Sequence, residues 1–211
     1  MKFVLFVEGH TEDKALPKFL KRWLDPQLPS PVGIKTVRFE GWPQLVKDAP
    51  TKARMHLQGP DRAAIIAVIS LLDLYGPTFF PAHVSGATAR HDWAKQHLES
   101  KVGQARFFQF FAVHEVEAWL LSDPAIFPPE IRKALPAKAK QPESVNNDEP
   151  PAKLLERLYP LHTPRSYKKV VTGKELFDKL DPKIACAHCP KLKLMLDKML
   201  ELARAAHTGS T

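Results

Sequence analysis

The stretch 64–72, Ala-Ile-Ile-Ala-Val-Ile-Ser-Leu-Leu, specifies the centre of the fold. It is almost entirely apolar, it is rich in β-branched residues, and it stops at Asp73. This composition predicts a strand that is buried on both faces of a sheet. Residues 3–7, 34–39 and 107–113 have the same character and predict three further strands.

Between these strands, apolar residues recur at helical spacing, which predicts helices at 43–58 and 88–102. Another helix should follow Gly9, with Thr11 as its N-cap. Strands that alternate with helices are typical of a parallel sheet. The sequence therefore predicts an α/β fold, Rossmann-like, with a mostly parallel sheet flanked by helices.

The character of the chain changes after Asp123. Residues 124–151 are rich in proline, and short helices are predicted at 152–158, 173–180 and 190–206. We expect an α/β core over 1–123, and a proline-rich link and helical appendage over 124–211 that packs on the core.

Composition narrows the classes of function. The 211 residues contain 31 basic and 23 acidic side chains, so the net charge is +8. No apolar run is long enough to cross a membrane, and there are only two cysteines, so we expect a soluble, cytoplasmic protein. The basic excess serves solubility or attracts a polyanion such as nucleic acid. No phosphate-binding loop is present, so any ATP would be used by a partner.

Acidic residues stand where the predicted strands end. Glu8 follows the first strand, Asp73 follows the central one, and Glu115 and Glu117 follow the strand at 107–113. Glu12 lies one helical turn after Glu8. Ligands of parallel sheets bind outside the carboxyl ends of the strands, so these carboxylates should share one rim.

Carboxylates that converge on one rim repel each other unless some are protonated or a cation lies between them. Oxygen ligands favour Mg²⁺ or Mn²⁺ over zinc. Such an ion can activate water and stabilise charge on a phosphate. The alternative is that these acids only cap helices, which is their commoner role when they occur singly.

Residues 7–12, Val-Glu-Gly-His-Thr-Glu, resemble the motif that opens the Toprim domain of topoisomerases, primases and overcoming-lysogenisation-defect (OLD) nucleases. Toprim proteins also carry an Asp-x-Asp step after a central strand. Here Asp73 is followed two residues later by Tyr75, which departs from that pattern.

Nearly the whole chain resembles a family of small, uncharacterised bacterial Toprim-like proteins that are often encoded beside ATPases. The resemblance rests on Asp73-x-Tyr75-Gly, on the stretch His-Glu-Val-Glu-Ala-Trp-Leu-Leu-Ser-Asp-Pro at 114–124, on Tyr-Lys-Lys-Val-Val-Thr-Gly at 167–173, and on Cys189-Pro190. It implies a Toprim-like core and a relation to OLD-type nucleases. It also implies an ATPase partner and a role in phage defence.

The resemblance further implies roles for individual residues. Glu8 and Asp73 would be the core metal ligands, and Glu12, Glu115 and Glu117 would add ligands or orient water. Apart from the resemblance, Lys168 and Lys169 follow Tyr167 close to a predicted helix start and are either phosphate contacts or a solvated basic turn, and we favour phosphate contacts. The residues assigned to catalysis are Glu8, Glu12, Asp73, Glu115, Glu117 and Lys168, and those assigned to the metal are Glu8, Asp73, Glu115 and Glu117.

The leading hypothesis is a nuclease that depends on Mg²⁺ or Mn²⁺ and cuts nucleic acid phosphodiesters. The rival hypothesis, favoured by Tyr75, is a non-catalytic Toprim-fold subunit that recruits nucleic acid or a partner protein. Nucleotidyl transfer would use the same metal site. His114 is either a general acid-base group or a structural donor. Cys186 and Cys189 are expected to be free thiols, because no second pair completes a zinc site.

Overall fold

The computed structural model describes residues 1–144 and 149–209. Four strands form one sheet in which all neighbours are parallel, in the order β2-β1-β3-β4. The strands are β1 (Lys2–Val7), β2 (Gly33–Arg38), β3 (Ile65–Asp73) and β4 (Phe107–Ala112). All four predicted strands are present, and the predicted α/β class is confirmed.

Helices connect the strands and then follow them. They are α1 (His10–Leu24), α2 (Trp42–Gln58), α3 (Ala87–Val102), α4 (Glu117–Leu121), α5 (Pro129–Ala134), α6 (Pro151–His162), α7 (Lys174–Lys179), α8 (Pro182–His188) and α9 (Pro190–Thr208). In the described parts of the chain, no helix has the length and apolarity that a membrane span requires.

The sheet has two differently covered faces, and a separate apolar core lies on each. The α1 face is covered by α1, α4 and the helices that follow α4. The α2–α3 face is covered by α2 and α3. Alternate residues of β3 point to opposite faces, so Ile69 and Leu71 lie in the first core, whereas Val68 and Leu72 lie in the second.

The helices after α4 are held directly against the first half of the chain. The Arg22 guanidinium of α1 donates to the carbonyl of Phe177 at 2.5 Å and to that of Asp178 at 3.0 Å, at the end of α7. The rings of Phe19, Trp119 and Phe177 pack together in the core of the α1 face. The C-terminal helices thus enclose one face of the sheet.

The predicted N-cap at Thr11 is wrong by two residues. Helix α1 begins at His10, Gly9 is its N-cap, and Thr11 is buried in the first turn. A Cβ at position 9 would lie 2.7 Å from Oε2 of Glu12. The Glu12 carboxylate folds back over the backbone here, and it would have to shift to admit a side chain at position 9.

Candidate functional site

The site begins where the two central strands end. Glu8 follows β1, and its Oε1 accepts a hydrogen bond of 2.6 Å from the backbone N–H of Asp73, the last residue of the neighbouring β3. The backbone N–H of Trp42, the first residue of α2, also donates to the Glu8 carboxylate. Glu8 is therefore fixed by backbone groups from two other elements.

Asp73 connects this pair to the segment that follows β4. Its Oδ1 accepts a hydrogen bond of 3.2 Å from the N–H of Val116. That contact places the neighbouring Glu115 and Glu117 beside Asp73. Glu117 is only 1% exposed although it carries a carboxylate.

One ammonium group lies among these acids. Nζ of Lys169 is 3.3 Å from Oε1 of Glu115 and 3.7 Å from Oε1 of Glu117. The other Glu115 oxygen, Oε2, accepts a hydrogen bond of 2.9 Å from the N–H of Ala152 in the first turn of α6. Lys169 starts a π-helical turn, Lys169–Gly173, immediately before α7. Elements after residue 124 therefore supply both a cation and a backbone donor to the site.

Glu12 completes the group. It is buried, and its charge interacts with those of Glu8, Lys169 and Glu115. The five carboxylates predicted from the sequence thus occupy one region, which we call the carboxylate cluster: Glu8, Glu12, Asp73, Glu115 and Glu117. Of the two predicted phosphate contacts, Lys169 lies in this cluster. Lys168 is exposed, and no salt bridge joins it to the acids in the described parts of the chain.

Burial is the largest influence on the acidity of the cluster. Desolvation raises the pKa of Glu8 to about 7 and that of Glu117 to about 7, and in both cases a neighbouring carboxylate adds to the shift. Burial and the charges of Glu8 and Glu12 raise the pKa of Asp73 well above its usual value. Burial acts to lower the pKa of Lys169, but the charges of Glu117 and Glu115 outweigh it, and the net shift is upward.

Among the described residues, several buried polar atoms in and beside the carboxylate cluster have no hydrogen-bond partner. Both carboxylate oxygens of Glu117 and the hydroxyl of Tyr167 are buried without one. Such atoms usually bind water or an ion. The donor set is all oxygen, as Mg²⁺ and Mn²⁺ prefer. In this conformation, however, no three Asp, Glu, His or Cys side chains in the described parts of the chain are placed to share one metal ion.

Tyr75 and His114 flank Asp73. Tyr75 is 46% exposed, so it does not point into the carboxylate cluster. Its ring lies 6.5 Å from that of His114, and its N–H donates to the His114 carbonyl at 3.0 Å. His114 is buried and adopts a left-handed backbone with φ of 66°. This strained turn directs the chain from β4 to Glu115.

The backbone donors at Trp42 and Ala152 could not be predicted from the pattern of acidic residues. A faint signal for the first is Gly41, which has φ of 88° and lets α2 start beside Glu8. Ala152 follows Pro151 at the start of α6, where backbone N–H groups are free of helix partners. Neither signal shows that the N–H groups would donate to Glu8 and Glu115.

The cysteines lie outside the site. Cys186 and Cys189 are free and buried. Burial raises the pKa of the Cys186 thiol to about 12 and also raises that of Cys189, so both stay protonated near neutral pH.

The fold and site define a class: a parallel α/β protein with a buried carboxylate cluster at the carboxyl ends of its strands. The chain belongs to the family described as "Domain of unknown function (DUF4276)", whose model matches residues 7–200. No curated protein matches the chain.

Among solved structures, the chain is similar to the C-terminal region of the Burkholderia pseudomallei OLD protein. The TM-score is 0.50, the sequence identity is 20%, and the match covers 97% of each chain. At this identity the likeness is one of fold.

Proposed function

We propose that this protein is a nuclease of Toprim type that depends on Mg²⁺ or Mn²⁺ and hydrolyses nucleic acid phosphodiesters. The observation that carries the proposal is the carboxylate cluster itself. Five acids come from the ends of three strands and are opposed by one ammonium group, that of Lys169. So many buried like charges persist only where some are protonated or a cation joins them.

In the proposed metal-bound state, Glu8, Asp73, Glu115 and Glu117 hold the ion. One oxygen each of Glu8, Asp73 and Glu115 accepts a hydrogen bond from a backbone N–H, and the other Glu115 oxygen is 3.3 Å from the Lys169 ammonium. Glu117 has both oxygens without a hydrogen bond. In this structure the Lys169 ammonium lies beside Glu115 and Glu117, so an ion would compete with it for these two carboxylates.

When bound, the ion would polarise the phosphate and lower the pKa of an attacking water. The residues of the chain perform the remaining steps. Glu117, whose two carboxylate oxygens have no hydrogen-bond partner among the described residues, would hold the ion or orient that water. Once free of the acids, Lys169 steadies the charge that develops on the phosphate, with Lys168 as a further phosphate contact. The positively charged surface collects the polyanion.

The partner and setting belong to this proposal through the family resemblance of residues 7–12 and 114–124. They are a partner ATPase and phage defence, while the proposed cytoplasmic location comes from the short apolar runs and the two cysteines of the sequence. One observation favours the second candidate, a non-catalytic Toprim-fold subunit that recruits nucleic acid or a partner protein. Tyr75 is exposed at the position where Toprim proteins carry their second aspartate. The second candidate gives no role to the buried Glu12 and Glu117.

The test is cleavage of plasmid DNA and of RNA by the purified chain with Mg²⁺ or Mn²⁺. Glu8→Gln and Asp73→Asn should each reduce cleavage at least about 100-fold, because each removes a charge from the metal ligands. Calorimetric titration with Mn²⁺ should show binding to the wild-type chain and much weaker binding to both variants.

Glu130→Gln is the matched control, because Glu130 is an exposed acid of α5, and it should cleave like the wild type. Circular dichroism shows whether each variant is folded. Cleavage that persists in both Glu8→Gln and Asp73→Asn would refute the nuclease proposal. Wild-type protein that binds no Mn²⁺ at millimolar concentration would favour the recruiting subunit.

A further inference from the structure

A group of aromatic rings lies on the α2–α3 face, between the start of α2 and the middle of α3. We call it the aromatic platform. Its members are Trp42, Phe79, Phe80, Trp93 and His97. The centroids of Trp42 and Phe79 are 5.7 Å apart, those of Phe79 and Phe80 are 4.8 Å apart, those of Phe79 and Trp93 are 5.9 Å apart, and those of Trp93 and His97 are 4.6 Å apart.

The platform is only partly used by the core. Its tryptophans and phenylalanines pack against the core of the α2–α3 face but remain partly exposed, and His97 is exposed. Trp93 and His97 stack with an angle of 12° between their planes. This pair lies beside an open surface depression of about 450 Å³ that is also lined by Lys101. Flat ring surface is therefore accessible from solvent.

The platform begins at the carboxylate cluster. The N–H of Trp42 donates to the Glu8 carboxylate, and the ring of the same residue contacts Phe79. Phe79 and Phe80 lie on the loop that leaves β3 after Asp73. Two connections thus join the rings to two of the proposed metal ligands.

Cations accompany the rings. The Arg90 guanidinium lies 5.2 Å from the centroid of Phe80, and no salt bridge engages it in the described parts of the chain. Lys47 and Lys101 are exposed on the same face. The acids of α3 are engaged elsewhere, because Glu99 pairs with Lys95 and Asp92 pairs with His91. The platform therefore combines partly exposed rings with positive charge, namely the Arg90 guanidinium and the Lys101 ammonium, which donates to the carbonyl of Val46 at 3.0 Å.

We propose that the aromatic platform binds the unpaired bases of a single-stranded nucleic acid. The rings stack with bases, while Arg90 and the nearby lysines contact the phosphates. A duplex offers no free base faces, because its bases are already stacked on each other. That the bound strand leads to the carboxylate cluster rests on the proposed function. That the platform binds a single strand does not depend on it.

The test measures binding without cleavage. Fluorescence anisotropy follows labelled oligothymidylate, labelled oligouridylate and a labelled duplex of equal length, with EDTA present throughout. The wild-type chain should bind one or both single strands more tightly than the duplex, and comparison of the two single strands shows whether DNA or RNA is preferred. Either preference supports the proposal.

Two variants locate the binding. Trp93→Ala should weaken single-strand binding about 5- to 150-fold, the range expected for the loss of one stacked base. Arg90→Ala should weaken it less and should lower the slope of log affinity against log salt by about one. Trp23→Ala and Arg204→Ala are the matched controls, because they remove a half-buried tryptophan and an exposed arginine far from the platform, and both should bind as the wild type does.

If Trp93→Ala does not fold, His97→Ala serves instead, since His97 is exposed and stacks on the same ring. Duplex binding as tight as single-strand binding would overturn the proposal, and so would platform variants that bind like the wild type. Single-strand binding without any cleavage would leave this inference standing and remove the nuclease proposal. Platform variants that bind single strands as the wild type does, in a chain that cleaves nucleic acid, would do the opposite.

Discussion

The two faces of the sheet carry different chemistry at the same rim. On the α1 face, the carboxylate cluster is closed in by helices that follow β4 and by Lys169. On the α2–α3 face, the corresponding position holds the half-exposed rings of the aromatic platform. The α1 face thus buries carboxylates that have few hydrogen-bond partners, whereas the α2–α3 face leaves aromatic surface open to solvent.

The difference comes from what covers each face. The α1 face is enclosed by the C-terminal helices, so carboxylates there lose water, and their pKa values rise. The α2–α3 face is closed by two helices and a loop, so its rings keep open edges. Because β3 sends alternate side chains to each face, one strand ends beside both environments: Asp73 belongs to the first, and Leu74 packs in the second core.

The largest expected effect is the loss of the Lys169 ammonium from the carboxylate cluster. Lys169→Met should reduce cleavage roughly 100-fold, the usual cost of removing one group that stabilises transition-state charge. The same change should tighten Mn²⁺ binding, because the ammonium competes with the ion for Glu115 and Glu117. Single-turnover cleavage and calorimetry measure the two effects.

Lys168→Met is the matched control, since Lys168 adjoins Lys169 in sequence but is exposed. It should bind Mn²⁺ as the wild type does and reduce cleavage less than Lys169→Met. If Lys169→Met binds Mn²⁺ more weakly than the wild type, Lys169 does not compete with the ion.

The next largest effect is the pH-dependent change in stability that Glu117 causes. The folded pKa of Glu117 is about 7, above its ordinary 4.5, so folding favours the protonated form. The stabilising contribution of this group is complete below pH 4.5 and is lost as the pH rises to about 7. Glu117→Gln keeps a neutral side chain at every pH. Without divalent ions, the variant should therefore match the wild type near pH 4 and exceed it by at most about 3 kcal/mol above pH 7.

Urea unfolding at a series of pH values in EDTA measures this difference. Glu130→Gln should stay within about 0.5 kcal/mol of the wild type throughout, because Glu130 is exposed. A Glu117→Gln chain that is less stable than the wild type at pH 8 would show that the carboxylate is stabilised by Lys169 more than it is penalised by burial.

Much of the fold could be predicted from the sequence, because three of its four strands are short, largely apolar runs. The run 64–72 is apolar on both faces, and a strand of that kind requires helices on both sides of a parallel sheet. The clustering of acids at strand ends then followed from topology alone. Glu8 and Asp73 end neighbouring strands, which is why their side chain and backbone meet.

The parts that could not be predicted depend on tertiary contacts. Lys168 and Lys169 are equivalent in the sequence, and only the π-helical turn directs Lys169 to Glu115. The platform was missed because Trp42, Phe79 and Trp93 are far apart in sequence and fit no helical or strand period. The cap at Thr11 was misplaced because the fold-back of Glu12 over the backbone has no local signature.

The smallest expected effect concerns Glu99, an acid on the α2–α3 face. Removal of its carboxylate should lower the free energy of unfolding, whereas removal of the Glu117 charge should raise it. Glu99 accepts a hydrogen bond of 3.0 Å from the N–H of Gln109 in the edge strand β4, and it also pairs with Lys95. Glu99→Ala should therefore lower the free energy of unfolding by about 1–2 kcal/mol, since it leaves a backbone donor of the edge strand without its partner. Urea unfolding at pH 7 measures this value.

Glu201→Ala is the control for that change. Glu201 pairs with Lys198 on the exposed side of α9 but accepts no backbone hydrogen bond from the residues that the structure describes, so its removal should cost under about 0.5 kcal/mol. If Glu99→Ala loses more unfolding free energy than Glu201→Ala, the hydrogen bond between Glu99 and the N–H of Gln109 accounts for the difference. Equal losses of unfolding free energy would mean that water binds the N–H of Gln109 once Glu99 is removed. Since acids on both faces are paired with lysine, the contrast with Glu117 then depends on its desolvation and on the neighbouring charges of Glu115 and Glu12.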